Sequence, residues 1–117
     1  MTAACLTLLH RAGRPMWPWT SAGPGLLVEA FPAAQLCAWN LPHERYDGPS
    51  SVAVAVRATI LAGLPTGLEL GSWGATLEGS ADALDAVLCA FAAIVVSTLP
   101  PPVGQAAATE GCIAVHP

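Results

Sequence analysis

The stretch Ser80–Val96, SADALDAVLCAFAAIVV, constrains this chain more than any other. Eleven residues from Ala86 to Val96 run without a polar side chain, and the only charges, Asp82 and Asp85, stand at the start. Such a run, rich in alanine and leucine, reads as a helix capped by Ser80, whose hydroxyl can accept from the first free backbone amides. Leu84, Leu88, Phe91 and Val95 recur at three- and four-residue steps and line one side. That side has to be buried. The apolar run is well short of the ~20 residues that cross a bilayer, so no membrane span is expected.

What could bury it is the next question, because charges to cover the remaining surface are scarce. In 117 residues, enough for one domain, 54% are apolar and only 10% charged, with no lysine. A soluble domain usually carries about 25% charged residues. Part of the apolar surface should therefore be covered by a missing half of a domain, a partner chain or a membrane. The last fits worst, because no helix shows the basic face that membrane surfaces favour. Four arginines against eight acids leave a net charge of −4 and no basic run. There is no footprint for a nucleic-acid backbone, so such a substrate would be held through metal ions or residues elsewhere.

The remaining segments are short. Residues 2–12 read as a helix stopped by Gly13 and Pro15, and residues 13–25 as a Pro/Gly-rich loop that Trp17 and Trp19 anchor to a core. Leu26–Phe31, between Gly25 and Pro32, reads as a buried strand with Glu29 in its middle. Pro32 opens the helix PAAQLCAW, and Ser51–Leu64 reads as a further helix despite its alternating valines. PTGLELGSWGATLEGS reads as loop or short irregular helix, PPP at Pro100–Pro102 breaks the long helix, and Cys112–Val115 reads as a short extended segment. Cys5, Cys37, Cys89 and Cys112 form no C-x-x-C pair and read as reduced thiols, buried as small hydrophobes in a cytoplasmic protein. His10, His43 and His116 have no metal-ligand spacing to a cysteine.

The acids carry what chemistry the sequence offers. Asp82 and Asp85, three apart on a helix, project from one face of its first turn. A divalent cation is one reason to tolerate two converging carboxylates, and hard cations such as Mg²⁺ take carboxylate oxygens while keeping several waters. Acids in a first turn also complement the helix dipole, worth about 0.3–1 kcal/mol each. Spacing alone leaves both readings open. Glu29 is a third acid in an apolar context, and must face solvent, meet a cation or line a site.

LLVEAFPAA upstream and SADALDAVLCAFAA with EGCIAVHP downstream resemble, in order, the domain-of-unknown-function family 429, predicted nucleases of ribonuclease H-like fold. The resemblance runs from about Gly13 to Pro117. It implies an α/β architecture, here a partial ribonuclease H-like fold, mostly helical with one or two strands of an incomplete sheet. It also implies Glu29, Asp82 and Asp85 as catalytic and metal-binding residues, Mg²⁺ or Mn²⁺ as cofactor, and a nucleic acid or small phosphodiester as substrate. Two ions in such sites activate a water and stabilise the leaving oxygen. No acid precedes Glu29, so the leading aspartate of the family pattern is missing. The expectation is a C-terminal portion of one domain, its N-terminal strands absent and its start truncated or misassigned, inactive alone. The other reading is a non-catalytic module or remnant that completes its sheet with a partner chain, and a partner chain or an oligomer is expected to cover the exposed apolar surface.

Overall fold

The computed structural model describes residues 3–19, 25–65, 68–98, 104–107 and 111–117. Among these residues five helices follow one another: α1 (Ala3–Ala12), α2 (Pro32–Ala38), α3 (Ser51–Gly63), α4 (Gly74–Gly79) and α5 (Ala81–Thr98). A 3₁₀ turn, Gly71–Trp73, leads into α4. The expected helices are all present, and the segment read as loop or irregular helix holds both the 3₁₀ turn and α4. The Pro100–Pro102 break lies outside the described residues.

Each well-formed helix has a local cause. Pro32 starts α2 with φ already set and no amide to leave unpaired. Its end is a Schellman cap. Asn40 takes the left-handed conformation at φ 55°, its amide donates to the Cys37 carbonyl, and the Leu41 amide donates to the Leu36 carbonyl. Leu41 then packs into the same apolar cluster as Leu36, the contact that usually accompanies this cap. Ser50 caps α3 by accepting from the Ala53 amide at 3.1 Å, and Ser80 caps α5 by accepting from the Ala83 amide at 3.3 Å.

Helix α5 ties two apolar clusters together. Its first half gives Leu84 and Leu88 to a cluster with Leu36, Tyr46 and Ile60, edged by Trp39, Leu41 and Val56. Its second half gives Ala92, Val95 and Val96 to a cluster with Trp17 and Ala114, edged by Leu26, Val28 and Ala30. α2 and α4 pack on α5, and α3 packs on α4. By length and composition α5 is also apolar enough to cross a membrane, with 28% of its residues buried and both aspartates at its start. It is the only such helix among the described residues.

The α/β expectation is overturned, and with it the partial ribonuclease H-like fold. Among the described residues there is no strand and no sheet, and pairing shrinks to one parallel bridge between Met16 and Leu27. Leu26–Phe31, expected as a buried strand, finds this neighbour through two bonds. The Trp17 amide donates to the Leu27 carbonyl at 2.9 Å, and the Leu27 amide to the Pro15 carbonyl at 2.8 Å. Pro15 has no amide to donate on one side of the bridge and residues 17–19 turn away on the other, so the ladder stops at one bridge. The expected extended segment at Cys112–Val115 likewise forms no strand. Trp17 is buried as an anchor, whereas Trp19 is 54% exposed.

Candidate acidic site

The expected site residues fall in two places. Glu29 lies in the segment beside the Trp17 cluster, and its side chain is exposed while its carbonyl accepts from the Ala114 amide at 3.1 Å. It meets solvent, the first of its three options. Asp82 and Asp85 stand together at the start of α5, beside the other cluster. Among the described residues no three of His, Cys, Asp and Glu come close enough to hold one metal ion. The structure therefore brings together the α5 pair and does not bring Glu29 to it.

Tyr46, buried in the apolar cluster, donates its hydroxyl to Asp85 Oδ1 at 2.9 Å. Burial raises the Asp85 carboxyl above its ordinary value, the Tyr46 hydroxyl pulls it back, and the charges of Asp82 and Asp47 push it up again. Burial and the bond to Asp85 likewise hold the Tyr46 phenol well above its usual value. Asp82 is exposed and borders an open cavity of about 340 Å³ lined by Gly48, Pro49, Gly79 and Ala81. Asp85 thus feels the charges of Asp82 and Asp47 while one hydroxyl partly relieves it.

What holds Tyr46 in place is Arg57, wholly buried in the middle of α3. Its Nη1 donates to the Tyr46 carbonyl and, at 3.0 Å, to the Gly48 carbonyl; its Nε donates to the Glu78 carbonyl at 2.6 Å. Glu78 lies in the last turn of α4, where carbonyls lack intrahelical partners, so the guanidinium caps that helix. One side chain thus fixes the Tyr46–Gly48 loop against the α4–α5 junction. Gly48 at φ 79° makes the turn that delivers the second carbonyl, and no side chain is comfortable there.

The model of a family described as a protein of unknown function, DUF429, matches residues 2–107. The chain belongs to DUF429. No curated protein and no solved structure matches it.

In this DUF429 member the sequence pointed to the acids but not to their supports. Arg57 and Tyr46 were passed over, although an arginine alone in the otherwise uncharged run SVAVAVRATILAGL is a signal that it reaches something polar. Gln35 was missed too. It is 2% exposed and bonds the main chain of His116, 81 residues away, which no local pattern announces. The cysteines divide. Cys37, expected as a buried thiol, is exposed, because it faces outward on the two-turn helix α2. Cys89 and Cys112 are half-buried, and burial first, then Asp85 and Glu29 respectively, pushes both thiols up. The Cys5 side chain lies outside the described residues.

Proposed function

We propose that this DUF429 member supplies the Asp82–Asp85 pair to a divalent-cation site for phosphodiester hydrolysis, and that groups from another polypeptide finish the site. The observation that supports this reading is Asp85 itself, a partly buried carboxylate oriented by the Tyr46 hydroxyl at 2.9 Å, with Asp82 beside it on the first turn of α5. Mg²⁺ or Mn²⁺ is the cofactor this donor set suits, since Mg²⁺ settles for one or two carboxylates and keeps its remaining waters. A hydroxyl on the far oxygen of a ligating carboxylate is the outer-shell contact that orients such ligands. The ion, when bound, would supply charge to a phosphoryl oxygen and a more acidic water. The chain's own part is to hold the two carboxylates, with Tyr46 orienting Asp85 and Arg57 fixing Tyr46. Glu29 joins this site only if the completing partner brings its segment over. A nucleic acid or a small phosphodiester is the substrate class, and the protein alone is inactive.

Calorimetry with Mn²⁺ on the wild-type chain and on Asp85→Ala tests this. Heat from the wild type that Asp85→Ala loses supports the site; equal heats remove Asp85 from it.

A second reading, a non-catalytic module that docks on a partner chain, is favoured by Leu68, Trp73, Ile94 and Ile113, all between 40% and 67% exposed. Its mark would be a stable complex that survives Asp85→Ala unchanged.

A further inference from the structure

Helix α5 has two apolar faces, and the described residues bury only one of them. Leu84, Leu88, Ala92, Val95 and Val96 point into the two clusters. On the opposite side, at 3.6 residues per turn, stand Ala83, Ala86, Val87, Ala90, Ala93 and Ile94. Ala86, Ala90, Ala93 and Ile94 are exposed, and no charge stands among them.

This face carries both halves of a contact. Ile94, 46% exposed, projects from it. About 12 Å back along the helix axis, Ala83, Ala86 and Val87 form one wall of an open cavity. Leu68, Trp73 and Leu77, from the 3₁₀ turn, α4 and the segment before them, form the other wall, and the volume is about 400 Å³. The knob and the hole lie on the same face, at a fixed spacing, with Ala90 midway between Ala86 and Ile94.

We infer that this face joins a second copy of the chain in an antiparallel α5–α5 pair, with a two-fold axis at Ala90. Such an axis brings position 94 of one helix level with position 86 of the other, and does so twice. Each Ile94 then enters the other copy's hole between Ala83, Ala86, Val87 and Ala90, the four-residue frame into which a helical knob packs. A different polypeptide would have to bring its own knob, whereas a second copy carries one at the matching height. Charge sets the direction: the two Asp82 carboxylates end about 24 Å apart, well beyond the screening length of about 8 Å, whereas a parallel pair would set them side by side. Residues 83–97 span about 22 Å, and with Trp73 and Leu68 each copy would cover about 500–700 Å², near the low end for a specific interface. The expected dimer is therefore weak, with a micromolar dissociation constant. It stands apart from the acidic site, since Asp85 and Tyr46 lie off this face, and Asp85→Ala should leave it intact.

Light scattering on the full-length wild-type chain should rise from monomer to dimer mass between about 1 and 300 μM. Ile94→Lys and Ala86→Glu, both at exposed positions, should each weaken the dimer at least about tenfold and leave the melting of the monomer unchanged. Mixed in equal amounts, the two variants should regain a dimer, because the new charges face one another only in the antiparallel register. A wild type that stays monomeric throughout leaves the face to another polypeptide and overturns the pair. A dimer indifferent to Ile94→Lys, or a mixture no better than its parts, overturns it too. If either variant does not fold, isotope-filtered nuclear Overhauser spectra of the wild type decide. Ile94 methyl groups should contact Ala86 and Val87 of the other copy, which lie about 12 Å away within one helix. No such contact at concentrations where the dimer forms overturns the pair.

Discussion

The two ends of α5 stand in different company. Around its first half, α2, α3 and the Tyr46 loop close on Leu84 and Leu88 while α4 packs alongside, and the polar groups answer one another through Arg57 and Tyr46. Around its second half the described residues of the cluster come from irregular segments, joined by one bridge and a few long-range bonds. Both halves bury apolar side chains completely, so burial is not what separates them. Backbone satisfaction is. A helix pairs its amides within itself, whereas an extended segment must borrow a neighbour, and here the neighbour is punctuated by prolines. The helical region is self-sufficient; the extended region is held by whatever it packs on.

The sharpest way to break that comparison is to remove the tie inside the helical region. Arg57→Met keeps the aliphatic stem but strands the buried Tyr46 carbonyl and removes the donor from the partly buried Gly48 and Glu78 carbonyls. At about 1–3 kcal/mol for the stranded group and about 1.5–3 kcal/mol for each lost charge-assisted bond, it should cost at least ~3 kcal/mol in chemical denaturation. A loss under about 1 kcal/mol would mean that the loop finds other partners. Next in size, Leu88→Ala should destabilise by about 2–5 kcal/mol. Val96→Ala, in the other region, should cost about 2 kcal/mol at most, from two buried methyl groups. Equal losses would erase the distinction.

Gly48→Ala should cost about 1–2 kcal/mol through its left-handed backbone, with open space around the added methyl and so no steric share. Asp85→Asn has the smallest effect and the most informative pH dependence. A carboxyl raised on folding binds its proton more tightly in the native chain than in the unfolded one. Wild-type stability therefore falls as pH rises from the ordinary carboxylate value through the raised one, and stays lowered above it. In metal-free buffer Asp85→Asn should be the more stable protein at neutral pH by thermal melting. Its advantage should shrink on acidification through that window, and an advantage that instead grew would reverse the assigned sign.

The same contrast explains what could be read from the sequence. Helices α1, α2, α3 and α5 were legible because their causes are local: Pro32, Ser50, Ser80, and apolar residues at helical spacing. Leu26–Phe31 had the composition of a buried strand, but a strand is a relation between segments, and the Pro15 and the turn at residues 17–19 that limit its neighbour lie elsewhere in the chain. The Asp82–Asp85 pair was legible for the same local reason as its helix. Its Tyr46 and Arg57 supports were not, because they arrive from a loop and a helix brought close only by packing. Glu29 joined the pair by resemblance, and the fold places it in the other region.

The account turns on which acids gather an ion, and paramagnetic broadening by Mn²⁺ reports that residue by residue. Titrated into isotope-labelled protein at substoichiometric amounts, Mn²⁺ should erase amide signals around Asp82–Ala86 and Tyr46–Gly48 and leave Val28–Ala30 sharp. Broadening centred on Glu29, or none at all, would contradict the assignment of the α5 pair as the metal-gathering part of this chain.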